Sequence, residues 1–351
     1  MAGAAFRRIL TLHLSPLGDT LFATPALRAL RHGFPGAEVT AVAWRTNAPL
    51  LADNPNLDRL LPCAGLWEVA QFLREEKGFD LVVGLSHLGS WAALLCEGAP
   101  RVGFNARRLG RFYCTRVPDR RDVHAVEYCL AVVEAVGARR QGTGLELALG
   151  ERERAFAAEL LAAAGCGPGP SRAPLVAIHP GGRTFRRKRW PAKRFAAVAD
   201  RLAREWGARV VLVGGREDVP LGEEIATLMR KKPLMAVGRA SLKQTAALLE
   251  ASSLFIGNDS APQHMAAAVG TPVIGLFGPT DPRNFAPLGS GHRVLRKEWP
   301  CSPCFRWLGG FGQYVYPWLA AGCRGECMLA ITVEDVVAAA GEYLARLAGG
   351  T

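Results

Sequence analysis

The sequence predicts an α/β protein of two halves, each built on a parallel sheet with helices on its faces. Short apolar runs alternate with longer helix-like segments along the chain, which is the pattern of βα units. One Gly/Pro-rich stretch, Gly165-Cys166-Gly167-Pro168-Gly169-Pro170-Ser171, interrupts that rhythm, and the rhythm restarts beyond it. The length of 351 residues is comfortable for two domains. The expected division is residues 1–165 and 172–351, with a ligand cleft between the halves.

In chain order, Arg8-Ile9-Leu10-Thr11-Leu12-His13-Leu14 is the first strand. The turn Ser15-Pro16-Leu17-Gly18-Asp19 follows, and then a helix whose start is signalled equally by Asp19 and by Thr24-Pro25. Strands are expected at 38–43, after the Pro35-Gly36 turn, and at 79–85, with a helix at 66–76 between them. A helix at 151–164 closes the first half. Beyond the linker come a strand at 175–178, a helix at 192–206 and a strand at 209–213 ended by Gly214-Gly215. A helix at 242–251 precedes strands at 254–256 and 272–277, and an Ala-rich helix fills 333–347.

Hydrophobic content of 49% and charged content of 21% fit a soluble globular chain. No apolar run approaches the roughly 18 residues of a membrane span, and no signal peptide is expected at the N-terminus, which together suggest a cytoplasmic protein. The net charge of +12 favours anionic partners: nucleic acid, phosphorylated substrates or an anionic membrane face. The basic residues are dispersed and match no nucleic-acid-binding motif, which argues against nucleic acid. There is no complete G-x-G-x-x-G, no G-x-x-x-x-G-K-[ST] and no Asp-x-Asp pair. A dinucleotide oxidoreductase, a P-loop nucleotidase and a metal-held sugar nucleotide are all poorly supported.

Three places carry chemistry. Gly18-Asp19 stands just past the first strand, at the edge where α/β sheets bind ligands. A carboxylate there suits a general base, and equally an N-cap. His179-Pro180-Gly181-Gly182-Arg183 follows another strand; its glycines let backbone amides approach a phosphate. Arg186-Arg187-Lys188-Arg189 brings cations to the same edge, where they can stabilise a departing diphosphate, although a solvated basic loop accounts for some of them. Finally, Gly257-Asn258-Asp259-Ser260-Ala261-Pro262-Gln263-His264 joins the strand Leu254-Phe255-Ile256 to a helix. With Asp259 or Ser260 as N-cap and Pro262 in the first turn, the helix N-terminus suits an anion site, and equally an ordinary α/β turn that binds nothing.

The cysteines pose a separate question. Cys301-Ser302-Pro303-Cys304 and Cys323-Arg324-Gly325-Glu326-Cys327 are paired clusters, and the remaining five are scattered. In a cytoplasmic protein such pairs suit a structural zinc or iron clamp more than disulfides, with reduced thiols as the alternative. The aromatic residues between the pairs, Phe305, Trp307, Phe311, Tyr314, Tyr316 and Trp318, suit a membrane or acceptor contact or a small local core.

These motifs together resemble glycosyltransferase family 9, the ADP-heptose:lipopolysaccharide heptosyltransferases, over nearly the full chain. The resemblance rests on Leu14-Ser15-Pro16-Leu17-Gly18-Asp19-Thr20 with Thr24-Pro25-Ala26-Leu27, and on His179-Pro180-Gly181-Gly182 with Lys188-Arg189-Trp190-Pro191. It continues in Val213-Gly214-Gly215-Arg216-Glu217-Asp218, in Gly257 to Ala268, and in Phe277-Gly278-Pro279-Thr280-Asp281-Pro282.

The resemblance implies a GT-B fold: two Rossmann-like domains facing a central cleft, with a C-terminal helix packing back on the first. Residues 1–165 would bind the acceptor. Residues 172–351, including the Cys-rich segment 301–327, would bind the donor. It implies inverting transfer of heptose from ADP-heptose to a hydroxyl of the lipopolysaccharide inner core, with no metal or cofactor needed for catalysis. The acceptor would be an anionic glycolipid, lipid A–Kdo or heptosylated core, met at the inner face of the inner membrane. Carried over by motif, Asp19 is the base and Lys188 the phosphate-binding cation, with Arg187 beside it. Gly181 and Gly182 lie against the diphosphate, and Asp259, Ser260, Ala261 and His264 complete the donor site. The family often has Thr or Ser where Gly181 and Gly182 stand, and Gly where Ala261-Pro262 stands, so fewer donors are expected at both turns. Some relatives that transfer heptose to protein carry a metal-bound four-cysteine motif near this end. That keeps a protein or other glycan acceptor open, as well as a GT-B epimerase or sugar-nucleotide-binding protein.

Overall fold

The computed structural model describes residues 6–104, 115–117, 123–165, 173–182, 186–304, 306–307, 314–315 and 323–348. In chain order the first elements are β1 (Arg8–His13), α1 (Leu17–Phe22), α2 (Thr24–Gly33), β2 (Glu38–Trp44), β3 (Arg59–Cys63) and α3 (Leu66–Glu75). They are followed by β4 (Leu81–Gly84), α4 (His87–Ala93), β5 (Arg101–Phe104), β6 (Thr115–Val117) and α5 (Ala125–Glu134). The strands form one six-stranded sheet in the order β3-β2-β1-β4-β5-β6. Every pairing is parallel, so all the strands end at one edge.

Both helix-start signals near the N-terminus are used. The helix breaks at Ala23 into α1 and α2. Pro25 has no N–H to give Leu21, and Thr24 Oγ1 donates to the Leu21 carbonyl instead, at 2.8 Å.

The second series runs α6 (Glu151–Ala163), β7 (Leu175–His179), α7 (Ala192–Glu205), β8 (Arg209–Leu212), α8 (Val219–Leu228), β9 (Leu234–Met235) and α9 (Leu242–Glu250). It continues with β10 (Leu254–Asn258), α10 (Ala261–Ala268), β11 (Val273–Leu276), α11 (Pro282–Phe285) and β12 (Arg293–Leu295), and ends with α12 (Glu326–Leu329) and α13 (Val333–Ala348). Its sheet has the order β12-β11-β10-β7-β8-β9, again parallel throughout. Counted within its own half, each sheet therefore has the doubly wound order of a Rossmann fold. In each, the connections reverse direction beside the first strand: between β1 and β4, and between β7 and β10.

The chain divides into two compact units, residues 1–148 with 307–315 and residues 149–306 with 316–351, so the first division falls at Ala148/Leu149 rather than at the Gly/Pro stretch. Helix α6 packs on α9, and Arg154 pairs with Glu250 through two hydrogen bonds, so α6 goes with the second sheet. The Gly/Pro stretch itself lies almost wholly outside the described residues.

Helix α13 packs on α7, β11 and β12 of its own unit. Val336, Val337, Ala340 and Leu344 of α13 are buried in the same core as Trp190, Phe195 and Leu202. Gly341 lies so close to Trp206 that a Cβ would come within 2.8 Å of the indole. Among the described residues, no helix is long and apolar enough to cross a membrane.

Candidate functional site

The β7/β10 switch point gathers most of the predicted donor-site residues. Beyond β7 the chain enters Pro180-Gly181-Gly182, and beyond its neighbour β10 it enters Asp259-Ser260. Asn258 ties the two turns together. Its Nδ2 donates to the carbonyls of Pro180 (2.7 Å) and Gly181 (3.0 Å), and its Oδ1 accepts from the Trp190 amide (3.0 Å). The side chain is fully buried and satisfied, so it fixes the path of the glycine loop.

Lys188 and Asp259 meet across the turns. Nζ of Lys188 lies 2.7 Å from Oδ2 of Asp259, whose side chain is only 7% exposed. The other carboxylate oxygen accepts from Gln263 Nε2 at 2.9 Å. That same nitrogen contacts His264 Nε2 at 3.3 Å, which brings buried His264 into the network. Ser260 occupies the N-cap position of α10 and Ala261 is the first helical residue, but neither Asp259 nor Ser260 caps with its side chain. Asp259 is held by Lys188 and Gln263, while Ser260 Oγ bonds the Asn258 carbonyl and His179 Nδ1, each at 3.0 Å.

Beneath the loop sits buried Asp218, which ends a 3-10 turn at Arg216–Asp218 after β8. Burial works to raise its pKa. The His179 ring at 3.4 Å, the Gly215 amide at 3.2 Å and Arg189 at 3.8 Å outweigh that and hold the carboxyl below its usual range. A Cβ on Gly181 would come within 2.6 Å of Asp218 Oδ2. Glycine is thus required there for lack of room, whatever the family's preference for Thr or Ser. Arg189 also donates to the Gly182 carbonyl at 3.1 Å, and half-buried Arg187 turns its own carbonyl toward Gly325. Arg183 and the side chain of Arg186 lie outside the described residues.

Asp19 stands at the corresponding switch point of the first sheet. It is half-buried in the first turn of α1, just past the end of β1. Its turn is braced by Asn47, which donates to the Ser15 carbonyl (2.7 Å) and Thr20 Oγ1 (3.1 Å). Ser86 braces it from β4, donating to the Leu14 carbonyl at 3.0 Å. Burial, with a smaller contribution from Asp19, pushes the Cys129 thiol of α5 up, which places the Asp19 carboxylate near that residue.

The four C-terminal cysteines share one neighbourhood. Burial pushes Cys327 up to about 11, with Cys304, Cys301 and Cys323 contributing. They do not form the expected zinc or iron clamp: among the described residues, no group of three or more His, Cys, Asp or Glu side chains is arranged to hold a metal ion. Cys301 is exposed on its turn. The aromatic side chains between the pairs lie outside the described residues.

Asn258, Gln263 and Asp218 lie inside the quoted motifs but were given no role from sequence. Their work is to hold backbone and side chains that are distant in the chain, and no spacing signals it.

Comparison with known proteins agrees with this architecture. The model of glycosyltransferase family 9 (heptosyltransferase) matches residues 66–314. Lipopolysaccharide heptosyltransferase 3 of Escherichia coli (strain K12) is 30% identical over 349 residues, covering 93% of this chain and 95% of that protein. Among solved structures, the glycosyl transferase family 9 protein from Veillonella parvula DSM 2008 superposes with a TM-score of 0.81 at 27% identity, covering 97% of this chain and 98% of that one. The E. coli ADP-heptose lps heptosyltransferase II superposes with a TM-score of 0.75 at 23% identity, covering 97% and 99%. The two doubly wound sheets are those of a GT-B glycosyltransferase. The chain belongs to glycosyltransferase family 9.

Proposed function

We propose that this chain transfers heptose from ADP-heptose to a hydroxyl of the lipopolysaccharide inner core, with inversion and without a metal ion. The observation that carries the proposal is the Lys188–Asp259 pair beside the Gly181-Gly182 loop at the β7/β10 switch point. Lys188 and the amides of that loop supply positive charge where the ADP diphosphate departs, the task that a metal performs in other transferases. Arg187, Ser260, Ala261 and His264 complete the donor site, with His264 acting through Gln263. Asp19 takes the proton of the acceptor hydroxyl as that oxygen attacks the anomeric carbon opposite the departing phosphate. The C1–O bond to ADP breaks as the new glycosidic bond forms, so the configuration at C1 inverts. The net charge of +12 supports an anionic glycolipid acceptor, met at the inner face of the inner membrane.

The test is transfer from ADP-heptose to lipid A–Kdo or heptosylated core in the presence of EDTA, followed by ADP release and by the anomeric configuration of the product. Asp19→Ala should lower turnover by about 10²–10⁴-fold while ADP affinity stays near wild type. Lys188→Ala should weaken ADP binding and turnover together. Near-normal turnover of the Asp19 variant would remove the base assignment. Steady ADP release without acceptor would point to hydrolysis instead, and an epimeric ADP-sugar formed without acceptor would point to epimerisation.

A further inference from the structure

We propose that Trp67, with Arg74 beside it, is a docking platform for the acceptor: the indole packs on a sugar ring of the acceptor glycan, and the guanidinium pairs with an anionic substituent of that glycan. This rests on the acceptor reading above and deepens it by naming a subsite away from Asp19.

Helix α3 buries Val69 and Leu73. Trp67 lies off that stripe, in line with Gln71 and Arg74 at the helical spacing i, i+4 and i+7. It is 73% exposed, the most exposed large apolar residue among those described, and neighbouring Leu66 is 52% exposed. The Arg74 guanidinium carbon is 6.0 Å from the centre of the indole ring, and among the described residues no carboxylate pairs with it. An apolar face and an unpaired positive charge therefore stand side by side at the surface.

This surface is tied to the turn that carries Asp19. Strands β1, β2 and β3 are neighbours that end at one edge, with Asp19 beyond β1 and Trp67 beyond β3. Arg45, just past β2, donates from Nη2 to Glu68 Oε2 at 3.0 Å, and the same oxygen accepts from the Ala64 amide at 2.9 Å. Two residues further on, Asn47 holds the Ser15 carbonyl and Thr20 Oγ1 on either side of Asp19. The segment from Arg45 to Asn47 thus links the first turn of α3 to the Asp19 turn. Two strand spacings separate β1 from β3, roughly 10 Å, which is within reach of a short oligosaccharide.

The chemistry fits a sugar. A pyranose presents C–H groups on its face and hydroxyls at its rim; the electron-rich face of an indole attracts the former and leaves the latter in water. A guanidinium suits a carboxylate or phosphate on the same glycan. A bilayer surface would call for a wider apolar face ringed by cations, whereas α3 carries Glu68 and Glu75 against Arg74.

Initial rates of wild type, Trp67→Ala, Trp67→Phe and Arg74→Gln, with the acceptor glycan in lipid-bearing and in fully deacylated, soluble form, test this. Trp67→Ala should raise acceptor KM roughly tenfold with both forms, while kcat and the KM for ADP-heptose stay near wild type. Trp67→Phe should recover part of the loss. Acceptor KM of wild type should rise with salt, and Arg74→Gln should flatten that dependence.

An unchanged acceptor KM in Trp67→Ala would overturn the inference. A rise confined to the lipid-bearing acceptor would also overturn it, in favour of a membrane contact. Equal losses in kcat and in both KM values would show a structural role and overturn it too. An unaltered salt dependence in Arg74→Gln would remove the arginine from the platform. If wild type transferred heptose to neither form, the acceptor reading would fall and this inference with it.

Discussion

Single residues in this chain carry consequences that can be measured one at a time. His13 ends β1 with Nε2 3.0 Å from Thr11 Oγ1 and, among the described residues, no partner for Nδ1, and burial pushes it down to about 3. In the unfolded chain it titrates near the ordinary value of about 6.5, so between those values the unfolded state holds the extra proton. Its contribution is therefore intact above about pH 6.5 and is lost as pH falls, by about 1.4 kcal/mol per unit. His13→Asn should flatten the fall in urea-unfolding free energy between pH 6.5 and 4 relative to wild type. Parallel curves for the two proteins would show that the ring is not buried neutral. The residues proposed for the donor site stand within motifs that the sequence shows: Gly181 and Asp259 each lie just past a strand end, and Lys188 meets Asp259 across the turns. The residues that hold them were not legible. Asn258 acts on carbonyls 78 and 77 positions away, and Asp218 on a ring 39 positions away.

At the scale of elements, the switch point depends on two strand ends keeping their register, and Asn258 is what transmits it. Asn258→Ala leaves the Trp190 amide and two loop carbonyls without their buried partner, at a cost of about 1–3 kcal/mol. Asn258→Asp should be no better, because an acceptor would then face the Pro180 and Gly181 carbonyls. Both variants should speed amide exchange in the glycine loop and weaken ADP binding. An Asp variant with wild-type exchange would show that the clamp is dispensable. The strands 175–178 and 209–213 were readable because β-branched and apolar runs end at glycine or proline. Helix α4 was not, since His87-Leu88-Gly89-Ser90 has no helical period. Its Gly89 is required by contact with the Leu12 carbonyl of β1 rather than by propensity.

For the whole molecule, the repeated strand order of the two sheets left no trace in the sequence, because packing constrains volume and polarity more than residue identity. The division into units was equally hidden. The Gly/Pro stretch advertises a linker, yet Arg154–Glu250 and the α6–α9 packing bind the preceding helix to the second sheet. Because the residues proposed for the donor site all belong to the second unit, ADP should raise the unfolding transition of that unit. At a hundredfold excess over its dissociation constant, the gain is about 2.7 kcal/mol. Calorimetry with and without ADP checks this, and a shift confined to the transition of residues 6–148 would contradict the assignment.

The Lys188–Asp259 pair also bears on tempo. A cation that already holds a carboxylate at 2.7 Å surrenders that partner when a phosphate arrives and regains it when the phosphate leaves. On the proposed reading of the donor site, Asp259 is a resident competitor for the product, and it would lower the grip on spent nucleotide and shorten its stay. In enzymes whose slow step is product release, such a competitor sets the pace of the cycle. The carboxylate that holds the lysine in place would then also help the product to leave.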